Sequence, residues 1–385
     1  MVQESPSLEA MLPPGIRSRM IAGVNGLDMH ILEAGFEAPG RPLALLAHGY
    51  PELAFSWRHA MLPLAEAGYH VVAPDLRGFG RTTGGSTDYD CDLLEFGALN
   101  KVRDMLALVA ALSHDAAEVI VGHDLGSHVV AWCALVRPDV FKSVVMMSAP
   151  FAGPPSLDAE RMLYATSTLA ADLAALARPR KYYVLWNGER GAADDYENAP
   201  QGLHDFFRAY FHHKSADWAG NRPFYLADQS AAEMAKMPTY YVMDLDKGMA
   251  ATVGEFMPSG DEIAACSWLD DDEVALFAAE YGRAGFQGAL NASYRILSDP
   301  RIMAEMRTFA GRKIDVPSAF ISGAQDWGIY QTAGALQAMA VNGCSNMTDV
   351  HLVEGAGHWV QQERAAEVTA LLLDFLRKTR SGATG

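Results

Sequence analysis

One carboxylate stands between two glycines where the pattern of the chain changes. Residues 118–132 read EVIVGHDLGSHVVAW, with an apolar, β-branched first half and apolar residues at helical spacing in the second half. A strand, a sharp turn and a helix, with glycines at Gly122 and Gly126, form a nucleophile elbow. We therefore predict that Asp124 projects above a sheet as a nucleophile, with the backbone N–H of Leu125 beside it. The alternative is an aspartate that caps the following helix.

Two further side chains follow strand-like runs and would complete this chemistry. The run SAFISGAQD ends at Asp326, and the run VHLVEGAGH ends at His358. The order Asp124, Asp326, His358 is the order nucleophile, acid, base of hydrolases with an elbow. A histidine that a carboxylate orients takes a proton from water, so we predict a catalytic triad. Taken singly, Asp326 is also suited to cap a helix, and His358 to be an ordinary loop residue.

A loop after an earlier strand-like run is suited to hold a developing negative charge. The run LALLAHG leads into the loop from His48 to Glu52. In hydrolases with an elbow, the corresponding loop donates one N–H of the oxyanion hole. We predict that Tyr50 donates this N–H and that Leu125 donates the second.

Six short apolar runs predict the strands that position these residues. They are continuous rather than alternating, as in a parallel sheet that is buried on both faces, and they cover residues 43–49, 70–78, 118–124, 143–150, 318–326 and 350–358. Helical patterns lie between them. The sequence therefore predicts an α/β protein with a mostly parallel, doubly wound sheet.

A long interruption divides this alternation of strands and helices. From residue 152 to about residue 300, helical patterns, aromatic residues and methionines dominate, and clear strand runs are absent. A helical block inserted between two strands predicts a cap over the carboxyl ends of the strands, where open α/β sheets bind ligands. The predicted organisation is a core of residues 1–151 and 301–385 with a helical cap at residues 152–300.

The composition narrows the classes of partner. The 385 residues include 47 Asp and Glu against 30 Lys and Arg, a formal net charge of −17. Such a surface repels nucleic acid and anionic lipid, so we expect neither as a partner, and we expect a neutral or apolar ligand rather than an anionic one. We also expect no membrane span, because no apolar run approaches the ~18 residues that a span needs.

The remaining patterns favour a cytoplasmic protein without metal or cofactor. The first fifteen residues lack the pattern of a signal peptide. The four cysteines are scattered without a C-x-x-C pair, and the histidines lack the spacing of a helical zinc site. The oligomeric state is left open, with a homodimer as the candidate.

Several segments together resemble the epoxide hydrolases of the α/β-hydrolase fold, over nearly the whole chain. The core segments are HGYPE with FSWR, PDLRGFGRT, GHDLGS and GHW, and the cap segments are PRKYYVLW and YGRAGFQGALNASYR. The resemblance implies an α/β-hydrolase fold with an inserted helical cap. It also implies hydrolysis of a small-molecule epoxide to a vicinal diol without a cofactor. The cap segments carry the most weight, because dehalogenases share the core segments.

The same resemblance assigns roles to aromatic residues. It implies that Tyr182 and Tyr294 are the two epoxide-binding phenols of the cap. Substrate contacts are implied for three more residues: Trp57, Tyr183 and Trp186. The sequence departs from the family at residues 292–293, where Ala and Ser replace a single Trp and Tyr294 comes one residue late. Since Tyr182 and Tyr183 are adjacent, the helix register decides which one faces the pocket. The alternative role for Tyr182 and Tyr294 is packing within the cap.

A carboxylate nucleophile suits attack on a saturated carbon. It leaves an ester, which water can then hydrolyse, whereas a serine would leave a stable ether. The first alternative function is a dehalogenase with the same nucleophile, although Leu125 and Tyr50 stand where haloalkane dehalogenases usually carry Trp and Asn. The second is a non-catalytic binding protein on the same fold. The aromatic residues and methionines of the cap favour an apolar or aromatic epoxide.

Overall fold

A large, twisted β-sheet forms the centre of the molecule. The structure is a computed structural model that describes residues 7–159 and 168–382. The strands within these residues are β1 Ile16–Val24, β2 Leu27–Ala34, β3 Leu43–Ala47, β4 His70–Pro74, β5 Ala117–His123, β6 Val144–Met147, β7 Arg180–Tyr182, β8 Val242–Asp244, β9 Ser318–Gly323 and β10 Met347–Val353. Eight of them form one sheet in the order β1-β2-β4-β3-β5-β6-β9-β10, and β7 pairs separately with β8.

The sheet is parallel from β4 to β10 and antiparallel at its other edge. Strands β4, β3, β5, β6, β9 and β10 pair in parallel, whereas β2 pairs antiparallel with both β1 and β4. Every residue of β3, β6 and β9 is buried. Side chains of a strand alternate between the two faces, so complete burial means that both faces of the sheet are covered.

Helices cover the sheet and fill the segment between β6 and β9. Those outside that segment are α1 Leu8–Met11, α2 Arg58–Glu66, α3 Ala98–Ala111, α4 Leu125–Val136, α15 Ala335–Ala338, α16 Val360–Glu363 and α17 Ala365–Gly382. Those between β6 and β9 are α5 Leu169–Ala174, α6 Tyr183–Trp186, α7 Ala192–Glu197, α8 Gly202–Lys214, α9 Ala231–Met234, α10 Met249–Gly254, α11 Gly260–Ala265, α12 Asp271–Ala284, α13 Gln287–Ser293 and α14 Pro300–Arg307.

Local signals set the bounds of the long helix α12. Its N-cap Asp270 accepts from the backbone N–H of Glu273, whose carboxylate accepts from the backbone N–H of Asp270, which is a capping box. It ends before Gly285, whose φ of 74° favours glycine. Helix α12 packs along α8, and these two helices supply much of the aromatic core of the segment.

Ion pairs hold this segment against the sheet domain. Arg58 Nε lies 2.5 Å from Glu273 Oε1, and both side chains are largely buried. Arg81 Nη2 lies 2.8 Å from Glu280 Oε1. Both glutamates belong to α12, so ion pairs connect this helix to the first part of the chain at two points, about two turns apart.

The predicted α/β class and the mostly parallel, doubly wound sheet are confirmed. Each of the six predicted runs overlaps a strand, but most extend past its end, because the residues that follow are loops at the carboxyl edge. The patterns did not predict the hairpin of β1 and β2, or the three-residue strands β7 and β8. They also predicted continuous burial for β10, whereas its burial alternates and Val350 is 48% exposed, because β10 is an edge strand.

Parts of two expectations lie outside the described residues. The first is the prediction that the first fifteen residues are not a signal peptide, of which residues 1–6 are not described. The second is the predicted cap, of which residues 160–167 are not described. Among the residues that the structure does describe, no helix is both long enough and apolar enough to cross a membrane.

Candidate active site

Asp124 lies in a strained turn between a buried strand and a helix. Strand β5 ends at His123 and α4 begins at Leu125, and between them Asp124 has a φ of 51° and a ψ of −114°. Residues other than glycine rarely adopt a positive φ, which costs about 1–3 kcal/mol. A Cβ on Gly122 would lie 2.1 Å from the carbonyl oxygen of Gly126, so strand and helix approach too closely for a side chain there. This is the geometry of a nucleophile elbow, and it presents the carboxylate at the carboxyl edge of the sheet.

Neighbouring strands bring the other two predicted residues to the same edge. Asp326 follows β9, and His358 follows β10. His358 Nδ1 lies 3.1 and 3.2 Å from the carboxylate oxygens of Asp326, and its Nε2 lies 3.5 Å from Asp124 Oδ2. The second distance is longer than a good hydrogen bond. The imidazole is thus oriented by one carboxylate and faces the other, an arrangement suited to a general base.

The charged forms of Asp124 and His358 stabilise each other. Burial alone would raise the pKa of Asp124, but the imidazole of His358, 3.5 Å away, holds it well below its usual range. Burial and the cation of Lys214 lower the pKa of His358, yet Asp326 and Asp124 outweigh them and raise it to about 8. At neutral pH the resting site therefore holds two carboxylates and a protonated imidazole.

A backbone donor already contacts the elbow carboxylate. The N–H of Tyr50, in the loop after β3, donates to Asp124 Oδ1 at 3.1 Å. The N–H of Leu125 belongs to the first turn of α4, where backbone N–H groups have no partner within the helix. One oxygen of Asp124 is therefore held by the loop after β3, while the other faces His358.

A buried carboxylate links the loops that carry these residues. Glu52 is completely buried and accepts from the amides of Gln361 and Gln362 at 2.8 and 3.0 Å. His123 Nδ1 lies 2.5 Å from Glu52, and His123 Nε2 lies 2.7 Å from the carbonyl oxygen of His358. These bonds fix the loop after β3, the end of β5 and the His358 loop relative to one another.

Lys214, the last residue of α8, places a buried cation near the triad. Only 3% of it is exposed. Four aromatic rings lie with their centroids 5.1 to 5.9 Å from its ammonium, those of Tyr210, Tyr240, Tyr241 and Trp359. Burial lowers its pKa, and the charges of Asp124 and Asp326 oppose that shift. The rings favour the cation, which in turn favours the anionic form of Asp124.

A cavity of about 270 Å³ opens at Asp124. Most of its wall is apolar, with residues from both the sheet domain and the segment between β6 and β9: Leu125, Val129, Trp132, Val184, Ile296 and Met306. Such a space accepts a small apolar molecule with one end at the carboxylate.

Two phenols line this cavity together with Asp124. Tyr183 and Tyr294 both line it, with ring centroids 5.7 Å apart. Burial raises the pKa of Tyr294 well above its ordinary value of 10, so its hydroxyl stays protonated. The extra residue before Tyr294 does not remove it from the cavity, because α13 ends at Ser293 and the backbone turns there.

The structure favours Tyr183 over Tyr182 as the first phenol. The ring of Tyr182 packs edge-on against that of Tyr183, at 5.4 Å, and lies outside the cavity wall. Both hydroxyls bond to Gln331 Oε1, at 3.1 Å from Tyr182 and 3.3 Å from Tyr183. Strand β7 ends at Tyr182 and α6 begins at Tyr183, so the change of backbone conformation turns the two side chains apart. Tyr183 is therefore our candidate for the first phenol, and the role implied for Tyr182 stays a prediction.

Two other aromatic residues are not among those that line this cavity, and the substrate contacts implied for them stay predictions. Trp57 is completely buried at the end of a 3₁₀-helix, Ala54–Trp57, that leads into α2. The ring of Trp186 packs against Tyr196, with centroids 5.8 Å apart, and against the ammonium of Lys181. Both side chains therefore contribute to packing.

Three polar groups of the site were not singled out by the sequence patterns. Glu52 had a signal, since it is a charged residue at the end of a buried strand, beside the predicted oxyanion loop. Lys214 and Gln331 had none, because a lysine at the end of a helix and a glutamine in a loop are ordinary surface residues. Only the fold brings them to the triad and the phenols.

In the described part of the chain, no three His, Cys, Asp or Glu side chains come together in a group that could hold a metal ion. His213, one of the histidines of α8, instead stacks on Phe256 with ring centroids 3.7 Å apart.

Comparison with known proteins gives concordant matches. Residues 42–365 match the family described as alpha/beta hydrolase fold. The chain is 32% identical to epoxide hydrolase A of Mycobacterium tuberculosis, over 94% of this chain and 98% of that protein. It is also 32% identical to an epoxide hydrolase of Caballeronia sordidicola, over 94% of each chain.

Solved structures give the same result. An epoxide hydrolase from an endophytic Streptomyces superposes with a TM-score of 0.75 at 28% identity, over 96% of this chain and 97% of that one. Potato (Solanum tuberosum) epoxide hydrolase I superposes with a TM-score of 0.70 at 29% identity, over 94% of this chain and 99% of that one.

Proposed function

This chain belongs to the epoxide hydrolases of the α/β-hydrolase fold, and we propose that it converts an epoxide and water to a vicinal diol through a covalent ester on Asp124. One observation carries the proposal: a single cavity holds the Asp124 carboxylate and the phenols of Tyr183 and Tyr294. Opening an epoxide needs a nucleophile for carbon and an acid for oxygen, and the cavity offers both.

In the first half-reaction, Asp124 Oδ2 attacks one ring carbon. The bond from that carbon to the ring oxygen breaks, and the oxygen takes a proton from Tyr183 or Tyr294. The phenol that keeps its proton stabilises the new phenolate by a hydrogen bond. The products of this step are an alkyl ester on Asp124 and a hydroxyl group on the adjacent carbon.

Ester formation switches His358 into a base. The ester carries no charge, so one of the two carboxylates that raise the pKa of His358 is lost. Its pKa falls below about 8, and the proton that it releases restores the phenolate to a phenol. The same residue is thus an acid beside an anionic Asp124 and a base beside an esterified Asp124.

In the second half-reaction, His358 takes a proton from water and the hydroxide attacks the carbonyl carbon of Asp124. The N–H groups of Tyr50 and Leu125 hold the oxyanion, and one such donor is typically worth ~3–4 kcal/mol. The intermediate collapses with release of the diol oxygen, which takes its proton from His358. Asp326 orients the imidazole throughout.

We also propose the division of the chain into a core of residues 1–151 and 301–385 and a cap of residues 152–300. The apolar wall of the cavity supports an epoxide with an apolar body. The two phenols support epoxide opening over dehalogenation, since a halide leaves without a proton. A cytoplasmic location and a homodimer stay predictions.

The experiment that tests the mechanism follows the oxygen of water. In a single turnover in oxygen-18 water with enzyme in excess, the diol should be mostly unlabelled, because its new oxygen comes from Asp124. The label should appear in the peptide that contains Gly122–Gly126. After many turnovers the labelled carboxylate is reused, so the diol itself should carry label, which serves as the control. Labelled diol in the first turnover would mean that water attacks the epoxide directly and that Asp124 is not the nucleophile.

A further inference from the structure

Three polar side chains in the cavity have no part in the mechanism above. Lys101 of α3, His128 of α4 and Ser293 of α13 line the same cavity as Asp124. They come from three helices that are distant in the sequence. Besides Asp124, the two phenols and Gln331, they are the polar side chains of the wall, and we call these three residues the polar pole.

Lys101 is a buried amine whose N–H donors are not all used by hydrogen bonds to the described residues. Only 7% of it is exposed, and its Nζ donates to the carbonyl oxygen of Ala292 at 2.5 Å. An ammonium has three N–H donors, and this bond is the only one that the ammonium of Lys101 makes to the described residues. Asp104 lies nearby, but Arg77 holds both of its carboxylate oxygens, at 2.6 and 2.9 Å. Burial lowers the pKa of Lys101 to about 7, so an anion in the cavity would increase its protonation.

The other two members of the polar pole also lack partners. The imidazole of His128 is open to the cavity and makes no hydrogen bond within residues 7–159 and 168–382. The hydroxyl of Ser293 is buried and likewise has no partner in that part of the chain. An unsatisfied buried hydroxyl is costly, and a ligand atom that accepts a hydrogen bond would remove that cost.

We propose that the polar pole binds a carboxylate group of the substrate, so that this enzyme acts on epoxides that carry a carboxylate. Lys101 supplies the charge, and His128 and Ser293 supply further hydrogen bonds. This inference rests on the proposed function, because it names the substrate class of the same site.

The helix geometry sets the distance between the two ends of the substrate. His128 lies on α4, four residues after Asp124, which immediately precedes this helix, and four residues correspond to a rise of about 6 Å. Between them Leu125 lines the cavity with an apolar side chain. The carboxylate should therefore be separated from the attacked carbon by about 6 Å of hydrocarbon chain.

A purely structural role for Lys101 would leave His128 and Ser293 in the cavity wall unexplained. Its bond to Ala292 ties α3 to α13, and that role needs only one N–H and no histidine or serine in the wall. The net charge of −17 led us to expect a neutral ligand. Surface charge is screened over about 8 Å at physiological salt, so inside the cavity the local amine outweighs it.

The test compares an acid with its neutral analogue. The substrates are 5,6-epoxyhexanoate as the acid, 5,6-epoxyhexanamide as its neutral analogue, and styrene oxide. For the unaltered enzyme, kcat/KM for the acid should exceed that for the amide by about tenfold or more, the effect of one hydrogen bond to a charged group. An acid that reacts no faster than the amide would overturn the proposal, and this comparison needs no variant.

Variants then assign the preference to the polar pole. In Lys101→Met the ratio of the two kcat/KM values should fall towards one, and in His128→Leu it should fall by a smaller factor. Lys142→Met, at an exposed lysine outside the cavity, is the matched control and should keep the ratio of the unaltered enzyme. Turnover of the amide shows that each variant is folded, and if Lys101→Met does not fold, His128→Leu decides. A preference for the acid that survives in the folded variants would place the carboxylate elsewhere and contradict the proposal.

Failure of this inference differs from failure of the proposed function. If styrene oxide and the amide are hydrolysed and the acid is not preferred, the polar pole does not bind a carboxylate but the enzyme is still an epoxide hydrolase. If none of the three epoxides yields a diol, or if their hydrolysis survives in Asp124→Asn, the proposed function itself is wrong.

Discussion

The two adjacent tyrosines offer a test in which a variant and its control differ by one position in the chain. Tyr183 lines the cavity and Tyr182 does not, yet both hydroxyls bond to the same oxygen of Gln331. Replacement of either tyrosine by Phe removes one bond of similar length. Each replacement should therefore lower the free energy of unfolding by a similar amount, about 0.5–1.5 kcal/mol. Only Tyr183→Phe also removes a proton donor from the cavity.

The catalytic effect of Tyr183→Phe follows from the number of donors. A positioned general acid typically contributes 10²- to 10⁴-fold to the rate. Since Tyr294 remains, we expect Tyr183→Phe to slow alkylation by roughly 10- to 100-fold, or about 1.4–2.7 kcal/mol in the activation free energy. Tyr182→Phe should stay within about threefold of the unaltered enzyme, since it keeps both donors.

The assay is a single turnover with enzyme in excess over styrene oxide, stopped by acid at short times. The remaining epoxide gives the alkylation rate without any contribution from ester hydrolysis. Thermal unfolding of both variants checks that their stabilities match. If Tyr182→Phe is the slower variant, the assignment of the two phenols is reversed, and if both alkylate at the normal rate, neither tyrosine donates the proton.

Three further predictions concern the triad and the elbow. His358→Gln should react once with an epoxide and accumulate an adduct of the substrate's mass, visible by mass spectrometry, whereas an adduct on Asp124→Asn would mean a different nucleophile. In the unaltered enzyme, hydrolysis of the ester should speed up with rising pH and level off below about pH 8, because the esterified Asp124 no longer raises the pKa of His358. A rate of ester hydrolysis that still rises above that pH would contradict this account. Gly126→Ala should lower the free energy of unfolding by about 2–3 kcal/mol or more in chemical denaturation, because the new Cβ would lie 2.2 Å from the carbonyl oxygen of Ala47. Gly260→Ala is the control and should have almost no effect, because no atom lies within 4 Å of the position of its Cβ.

The sequence was most informative where chemistry and local structure coincide. The elbow at Asp124 needs glycines on both sides of a strand-to-helix turn, so the pattern and the function appear together. Asp326 and His358 follow apolar strands, and parallel strands bring their carboxyl ends to one edge. Their meeting at that edge could thus be predicted from local runs alone, although their distances could not.

Other parts of the site depend on information that a local pattern does not contain. The choice between Tyr182 and Tyr183 depends on where a strand becomes a helix, and the two neighbouring residues have the same chemistry. Lys214 approaches the triad from α8, and its buried cation is stabilised by rings that are distant in the sequence. The hairpin of β1 and β2 was missed because its first strand alternates irregularly between buried and exposed residues.

The pairing of β6 with β9 has a consequence for biosynthesis. These strands are neighbours in the sheet, but residues 148–317 must be made between them. As the chain emerges from the ribosome with its N-terminal part first, the turn that carries Asp124 can form while the edge of β6 is still open, and such an edge invites pairing with other chains. His358 arrives only after β10. With the roles proposed above, a nascent chain acquires its nucleophile before its base. We therefore expect a chain without its final strand to be alkylated by an epoxide without releasing the diol.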